Sequence, residues 1–300
     1  MRHAEVMRSA RWSFSRFCVL PFLALLTLGF LCAGPSVIWA EDETTSGQTD
    51  KLMIRGGWAY VFGADANVSV GGPVLGVGAN IDLTTTLGVN TSTDAFRLDG
   101  LYRFNDRHAV GLSWYRVGLS GDKSLNQTIA IKDQTIDAGA GTQTSLSFNI
   151  YRLLYNYSFY HNDKVELAVS PGLYSIQTKF SFAAQGTVTT GGGRPIAGSS
   201  TTVSEQLTLP LPSIGLVANY NITPKLQFQS RYDFFYLTIN DYTGNMFELY
   251  AGLEYRLFKH FAMGAAYDRL TAGLKGSGDQ SFNINFGYNL AYVYATLYAF

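Results

Sequence analysis

Histidine is the side chain that most often acts as a general base near neutral pH, so the histidines are the first candidates for chemistry. Beyond the N-terminal segment the sequence has three, His108, His161 and His260, each within a short polar segment. Nothing in the sequence orients them against a nucleophile, and their separations match no metal-binding pattern. We therefore expect surface histidines, no metal site and no catalytic site.

Paired carboxylates are the next candidates, because one can act as an acid while the other acts as a base. Glu248 with Glu254, and Asp233 with Asp268, are the possible pairs. Both have arginines as sequence neighbours, which favours structural salt bridges. The glycine-rich segments 71–78 and 191–193 are not followed by the Lys-Ser/Thr of a phosphate loop. The sequence thus predicts no cofactor and a protein that is not an enzyme.

The elements that carry these residues alternate between apolar and polar side chains, which is the two-residue period of β-strands. After residue 40 no apolar run approaches the length of a membrane-spanning helix. The alternation is clearest near the C-terminus, where aromatic and aliphatic residues take every second position. These residues are Phe282, Ile284, Phe286, Tyr288, Leu290, Tyr292, Tyr294, Tyr298 and Phe300.

This terminal pattern resembles the last strand of Gram-negative outer-membrane β-barrel proteins, which ends in Phe or Trp with aromatics at alternate preceding positions. The general plan is similar to the small OmpW-like and OmpA-like barrels. The resemblance implies that the barrel assembly machinery recognises a C-terminal insertion signal made of Tyr292, Tyr294, Tyr298 and Phe300. It also implies contact with outer-membrane lipid and lipopolysaccharide in the cell outer membrane.

Short polar turns alternate with longer loops rich in Gly, Ser and Thr, and these set the strand count. The short turns are residues 105–108, 161–164, 222–225 and 258–260, and the loops lie near 121–141, 183–204, 240–245 and 274–279. Short turns face the periplasm in this class, and crossing strands have about 10 residues. We predict an all-β, antiparallel up-and-down transmembrane barrel of about ten strands, within a range of roughly 8 to 12.

The first 40 residues have the order of a cleaved secretory signal peptide. A basic segment with four arginines precedes an apolar run, and an acidic run begins at Glu41. We expect residues 1–40 to be removed, 41–51 to form a periplasmic tail and 52–300 to form the barrel. The leader holds four Arg, one acidic residue and both cysteines, which leaves a mature chain of net charge −3 without a disulfide. A net charge of −3 gives no excess of basic residues for binding nucleic acid, so we expect no nucleic-acid partner.

In a membrane barrel the apolar face of each strand meets lipid and the polar face meets the lumen. This rule places Ile54, Trp58 and Phe234 outside, and we assign the alternating C-terminal aromatics to the same outer face. It turns twelve charged residues inward, six of each sign: Arg55, Arg97, Asp99, Arg103, Arg152, Glu166, Arg231, Asp233, Glu248, Glu254, Arg256 and Asp268. Buried charges must be paired, so we expect a lumen charge network that fills a narrow barrel.

Three segments fit the rule less well. Residues 109–119 and 146–159 keep no single alternation, which predicts a bulge in each strand. Within residues 65–93, the apolar Ile81, Leu83 and Leu87 alternate with polar residues. We interpret these three as a strand extension or an apolar flap at the outer mouth.

Two functions of different classes follow. The first is a narrow or plugged barrel for binding or passage of a small or hydrophobic solute, motivated by the apolar flap. The second is a structural or surface-interaction barrel, involved in adhesion or lipopolysaccharide contact, without transport. A lipid- or peptide-modifying envelope enzyme is a third and weaker reading. The solute, the conductance of the lumen and the oligomeric state stay open.

Overall fold

A computed structural model describes residues 50–70, 79–126, 128–131, 134–190, 196–277 and 281–299. The expected signal peptide, most of the expected tail and Phe300 lie outside the described residues. The strands, in chain order, are β1 (Leu52–Val70), β2 (Ala79–Asp82), β3 (Thr93–Asn105), β4 (His108–Ser124), β5 (Ile129–Ile131), β6 (Gln134–Ile136), β7 (Gly141–His161), β8 (Val165–Thr190), β9 (Ile196–Asn221), β10 (Leu226–Ile239), β11 (Tyr242–Phe258), β12 (Phe261–Gly276) and β13 (Phe282–Ala299). One short helix, α1 (Leu83–Leu87), follows β2.

Ten of these strands form a closed antiparallel ring in the order β1, β3, β4, β7, β8, β9, β10, β11, β12, β13. The ring closes where β1 pairs with β13, from Leu52 opposite Ala299 to Val70 opposite Phe282. The remaining short strands β2, β5 and β6 lie in the loops. The predicted antiparallel barrel of about ten strands is confirmed.

The four short turns lie together at one end of the ring, which we call the turn end. Their side chains supply the hydrogen bonds that the reversing backbone lacks. Asn105 Oδ1 accepts from the amides of Arg107 and His108 at 3.0 and 3.1 Å. Asn162 Oδ1 does the same for Lys164 and Val165, at 2.9 and 2.7 Å. The opposite end, which carries the longer loops, is called the loop end.

Several strands are far longer than the bilayer requires. A tilted crossing strand needs about 9–11 residues, whereas β8 and β9 have 26 each. The expected loop at residues 183–204 is therefore mostly strand, because β8 continues to Thr190 and β9 begins at Ile196. The barrel wall continues well past the membrane at the loop end.

The polarity of the wall reverses along these long strands. In the membrane part the outer face is apolar, as at Trp58, Leu112 and Phe234. Farther toward the loop end Arg116, Lys179 and Arg269 are exposed on the outer face. Above the membrane the wall meets water outside and packs an apolar core inside, like a soluble barrel.

That reversal accounts for the poor alternation of both segments and corrects the bulge predicted in residues 109–119. Leu146, Phe148 and Ile150 point inward and are buried, while Arg116 points outward, so the alternation continues with exchanged polarity. The β4–β7 ladder runs unbroken from His108 opposite Tyr157 to Ser124 opposite Gly141. β7 does carry one irregularity, next to β8 between Ser158 and Tyr160.

The register of the terminal strand differs from the predicted one. Tyr292, Tyr294 and Tyr298 are buried in the interior, and Val293 and Leu297 face outward, each about half exposed. The tyrosine rings fit inside because the inward residues of the neighbouring strands are small. Tyr294 lies between Gly57 of β1 and Gly264 of β12, and Tyr292 lies between Ala59 and Ala266. Small inward residues leave room for the rings.

The alternation around Leu83 also has a different structure. Ile81 lies in β2, with its side chain outside the description, but residues 83–87 form α1 rather than a strand. Asp82 caps the helix by accepting from the amides of Thr84 and Thr85, and Gly88 ends it with φ of 68°. Among the described residues no helix is long and apolar enough to cross a membrane.

Candidate functional site

The barrel interior at the middle of the wall centres on Arg97, which is 1% exposed. Its Nε lies 3.1 Å from Asp99 Oδ1, and its Nη1 lies 2.5 Å from Asp268 Oδ2. The guanidinium also lies over the rings of Tyr115 and Tyr292, at 5.1 and 5.4 Å from the ring centres. Two carboxylates and two aromatic faces therefore replace the water that an exposed arginine would have.

A second set of pairs crosses the interior beside Arg97. Arg152 Nη1 lies 2.7 Å from Glu248 Oε1, and Arg231 Nη2 lies 3.1 Å from the same oxygen. Arg231 Nε also pairs with Asp233 at 2.7 Å. The Tyr174 hydroxyl donates to Asp233 Oδ2 at 2.7 Å. These bonds join β7, β8, β10 and β11 across the lumen.

Nearer the turn end, Arg55 is held by Glu254 and by other residues of β10, β11 and β13. Its Nη2 lies 2.7 Å from Glu254 Oε2 and 2.9 Å from Gln229 Oε1, and its Nη1 donates to the Tyr250 hydroxyl at 3.0 Å. Glu254 in turn accepts from the hydroxyl groups of Thr296, at 2.8 Å, and Tyr298. This cluster ties the first strand to the last strands of the ring.

Two further pairs lie beside the turns. Arg103 Nη1 is 2.8 Å from Glu166 Oε1, and Arg256 Nη2 is 2.5 Å from Asp50 Oδ2. A polar cavity of about 140 Å³ lies at this level and is lined by Arg55, Arg103 and Glu166 among others. The cavity extends up to the level of Arg97 and Arg152.

All twelve charged residues that the sequence turned inward thus have their side chains in the interior, and each has an oppositely charged partner. In the part of the chain that the structure describes, Asp233 Oδ1 has no hydrogen-bond partner. The arrangement neutralises charge and binds the strands to one another across the lumen.

Sequence reasoning missed the tyrosines and Asp50 in this network. Tyr174, Tyr250 and Tyr298 each bond to a charged partner or lie against one. For Tyr292 and Tyr294 of β13, the small residues opposite them on β1 and β12 are the signal that would have located them in the interior. That signal is readable only once the strand register is known.

Above the charged layer the interior is apolar. Phe148 stacks on Phe286 with 3.9 Å between ring centres, and the Tyr288 hydroxyl donates to the Tyr115 hydroxyl at 2.8 Å. Helix α1 adds Leu83 and Leu87, which are 6% and 1% exposed. Two of the three predicted flap residues therefore belong to this apolar layer, which closes the lumen toward the loop end.

The three histidines lie at the turn end. His108 Nδ1 is 2.5 Å from the Tyr155 hydroxyl, and His260 Nδ1 is 3.1 Å from the carbonyl oxygen of Tyr298. His161 is the last residue of β7 and is exposed. Among the described residues no group of three or more His, Cys, Asp or Glu side chains is placed to hold a metal ion.

The outer surface of this ring is suited to contact with lipid. Around the membrane part the outer face exposes large apolar and aromatic side chains on strand after strand, among them Ile54, Leu112, Leu153, Leu216 and Leu253. In water such a continuous belt would aggregate, whereas every ladder amide in a closed barrel is satisfied within hydrocarbon. The chain is an outer-membrane β-barrel.

Comparison with known proteins agrees with this fold. No protein-family model and no curated protein matches the sequence. Among solved structures, the outer membrane protease OmpT from Escherichia coli matches with 11% identity over 85% of this chain and 100% of its own, at a TM-score of 0.46. The Pseudomonas putida toluene transporter TodX matches with 9% identity over 86% and 92%, at 0.33. OprG from Pseudomonas aeruginosa matches with 14% identity over 84% and 99%, at 0.35.

These matches concern the fold alone. They also correct one expectation. The sequence predicted a barrel that is not an enzyme, and this exclusion is wrong as stated, because the barrels similar to it include a protease beside transport proteins. The enzymatic status of this chain is unresolved.

Proposed function

We propose that this outer-membrane barrel does not conduct and acts at the cell surface, as a structural and lipopolysaccharide-contacting protein. The observation that carries the proposal is the closure of the lumen at two levels. Arg97 and its partners fill the middle, and the apolar layer with Leu87 of α1 fills the space above.

Passage of a solute through the lumen has less support from this geometry. A hydrophobic solute would have to displace closely stacked side chains such as Phe148 and Phe286, then break buried ion pairs. Each buried pair broken by loss of one partner costs about 3–5 kcal/mol. The cavity of about 140 Å³ lies on the turn side of the apolar layer and reaches up to the ion pairs of Arg97 and Arg152.

Contact with lipopolysaccharide is supported by the outer face just past the membrane. Arg116 of β4, Lys179 of β8 and Arg269 of β12 are exposed there, beyond the apolar belt. Arg116 and Lys179 are two strands apart, and between them β7 carries the polar Asn149. Arginine and lysine at this height suit the phosphate groups of lipopolysaccharide, with which they form charge-assisted hydrogen bonds.

The experiment compares binding of fluorescent lipopolysaccharide to the full chain in phospholipid nanodiscs. The double variant Arg116→Glu/Lys179→Glu should bind several-fold more weakly, because two exposed pairs each contribute about 0.2–1 kcal/mol and the new carboxylates repel phosphate. Arg107→Glu/Lys164→Glu, in two turns at the opposite end, makes the same charge change and should bind like the original chain. Equal affinity of all three proteins would refute the proposed contact.

A further inference from the structure

The barrel wall has a seam between β9 and β10 toward the loop end. Pairing of the two strands runs from Asn221 opposite Gln227 to Ile214 opposite Phe234 and stops there. Beyond that point β9 continues to Ile196 in a ladder with β8, and β10 continues to Ile239 in a ladder with β11. Over this stretch the described residues form no β9–β10 ladder.

A comparable gap beside β4 is sealed, which makes the seam distinctive. The β3–β4 ladder ends at Arg97 opposite Tyr115, yet the first loop fills the space beyond it. The Asn90 amide donates to the Ser120 carbonyl at 2.9 Å there. The loop also presses on Gly121, where a Cβ atom would come within 2.2 Å of the Gly88 carbonyl oxygen.

Several side chains along the seam are apolar and exposed, although the alternation directs them inward. Leu207 of β9 is 43% exposed, and Leu237 and Ile239 of β10 are 42% and 58% exposed. Leu209 and Phe235 lie deeper and pack against the apolar layer. The seam is thus an apolar cleft that continues from the interior core to the outside of the barrel.

The lower end of the seam lies in the lipid-facing belt. Ile214 and Phe234, the last residues paired across it, face outward and are 48% and 53% exposed. The next outward residue of β10, Tyr236, is 71% exposed. The lower end of the cleft therefore adjoins the apolar outer belt of the barrel.

A lipid fits this cleft better than a protein strand does. An added strand would need the amides along the β9 edge, and this stretch of β9 contains Pro210 and Pro212, which have none. Lys179 of β8 lies directly opposite Gln206 of β9 and is exposed on the outer face. It supplies a cation for an anionic head group one strand away from the cleft.

We propose that the seam between β9 and β10 holds an acyl chain of an outer-leaflet lipid against Leu207 and Leu237. The chain would complete the apolar core where the wall is incomplete. This site shares Lys179 with the proposed lipopolysaccharide contact, but its apolar lining on β9 and β10 belongs to a different part of the barrel wall from Arg116.

The test places a nitroxide label on the full chain folded in dioleoyl phosphatidylcholine vesicles, with Cys18 and Cys32 replaced by Ser. One label replaces Leu237, through Leu237→Cys, and its matched control is Thr238→Cys, the neighbour on the outer face of the same strand. Oxygen dissolves in acyl chains and a nickel chelate stays in water. We expect a several-fold higher ratio of oxygen to nickel collisions at 237 than at 238.

A second variant keeps the proposal falsifiable if the label disturbs the cleft. Adding Leu207→Asp across the seam should lower the oxygen-to-nickel ratio at 237 several-fold, and heat-modifiable migration in gels checks that the barrel is folded. Nickel access at 237 equal to that at 238 would overturn the proposal. A label at 237 that neither probe reaches would also overturn it, because such a label would be packed against protein. Broadening of the spectrum by the label of a neighbouring molecule would overturn it too, because the seam would then contact a second copy of the chain.

Discussion

Arg97→Met tests whether the central ion pairs hold the lumen together. The change removes the only cationic side chain that pairs with Asp268 among the described residues, and Asp268 is fully buried. Asp99 is affected less, because it retains Arg152 at 3.4 Å and the Ser113 hydroxyl. Leaving one buried carboxylate unpaired costs about 3–5 kcal/mol, so the free energy of unfolding should fall by that amount.

The double variant Arg97→Met/Asp268→Leu separates the unpaired charge from the loss of packing. It removes both members of the pair and replaces them with apolar side chains, which is often neutral or stabilising for a buried pair. The double variant should therefore lose about 1–3 kcal/mol less than the sum of the two single variants. Urea unfolding in detergent micelles, followed by tryptophan fluorescence, measures all four proteins of the cycle.

Arg116→Met is the matched control, because Arg116 is exposed on the outer face. We expect no measurable change in its unfolding free energy. A loss below about 1 kcal/mol for Arg97→Met would be the size of an exposed pair and would refute the reasoning. Strict additivity in the double variant would refute it as well, since independent residues add.

Two other variants test the packing of β13 and the first loop. Gly264→Ala places a Cβ atom 2.4 Å from Tyr294 Cζ and should destabilise the barrel by about 1–3 kcal/mol in the same urea assay. Gly118→Ala is the control, because no atom lies within 4 Å of the added Cβ, and it should leave the free energy of unfolding unchanged. Equal destabilisation by the two variants would contradict the tight fit at Tyr294. Asp82→Ala removes the cap of α1 and should destabilise that helix by about 0.5–2 kcal/mol. Amide hydrogen exchange should become faster in α1 and stay unchanged in the barrel strands. Asp94→Ala, an exposed residue in β3, is its control, and unchanged exchange in α1 of the Asp82 variant would contradict the capping role.

The sequence predicted the barrel, its strand count and its tight turns because these depend on local patterns. Alternation reveals strands wherever one face meets lipid, and Asn105 and Asn162 mark turns by their own hydrogen bonds. The outer faces of β1 and β10 follow from the same alternation, as at Trp58 and Phe234.

The remaining features depend on contacts between distant segments. Tyr294 faces inward because Gly57 and Gly264 flank it, and that register is not visible in β13 alone. The polarity reversal near Leu146 requires knowing where the membrane ends along a strand. Asp82 and Gly88 did carry readable cap signals for α1, but over five residues the apolar spacing of Leu83 and Leu87 also suits a strand.

Single-channel recording in planar lipid bilayers tests the central claim most directly, because a lumen closed by ion pairs and by the apolar layer should pass no ions. The original chain should show no stable conductance steps in molar potassium chloride. A variant without residues 79–89, which lacks α1, should still show none, because the Arg97 layer remains. Large, regular conductance steps from the original chain would contradict a closed lumen and with it the account of this barrel.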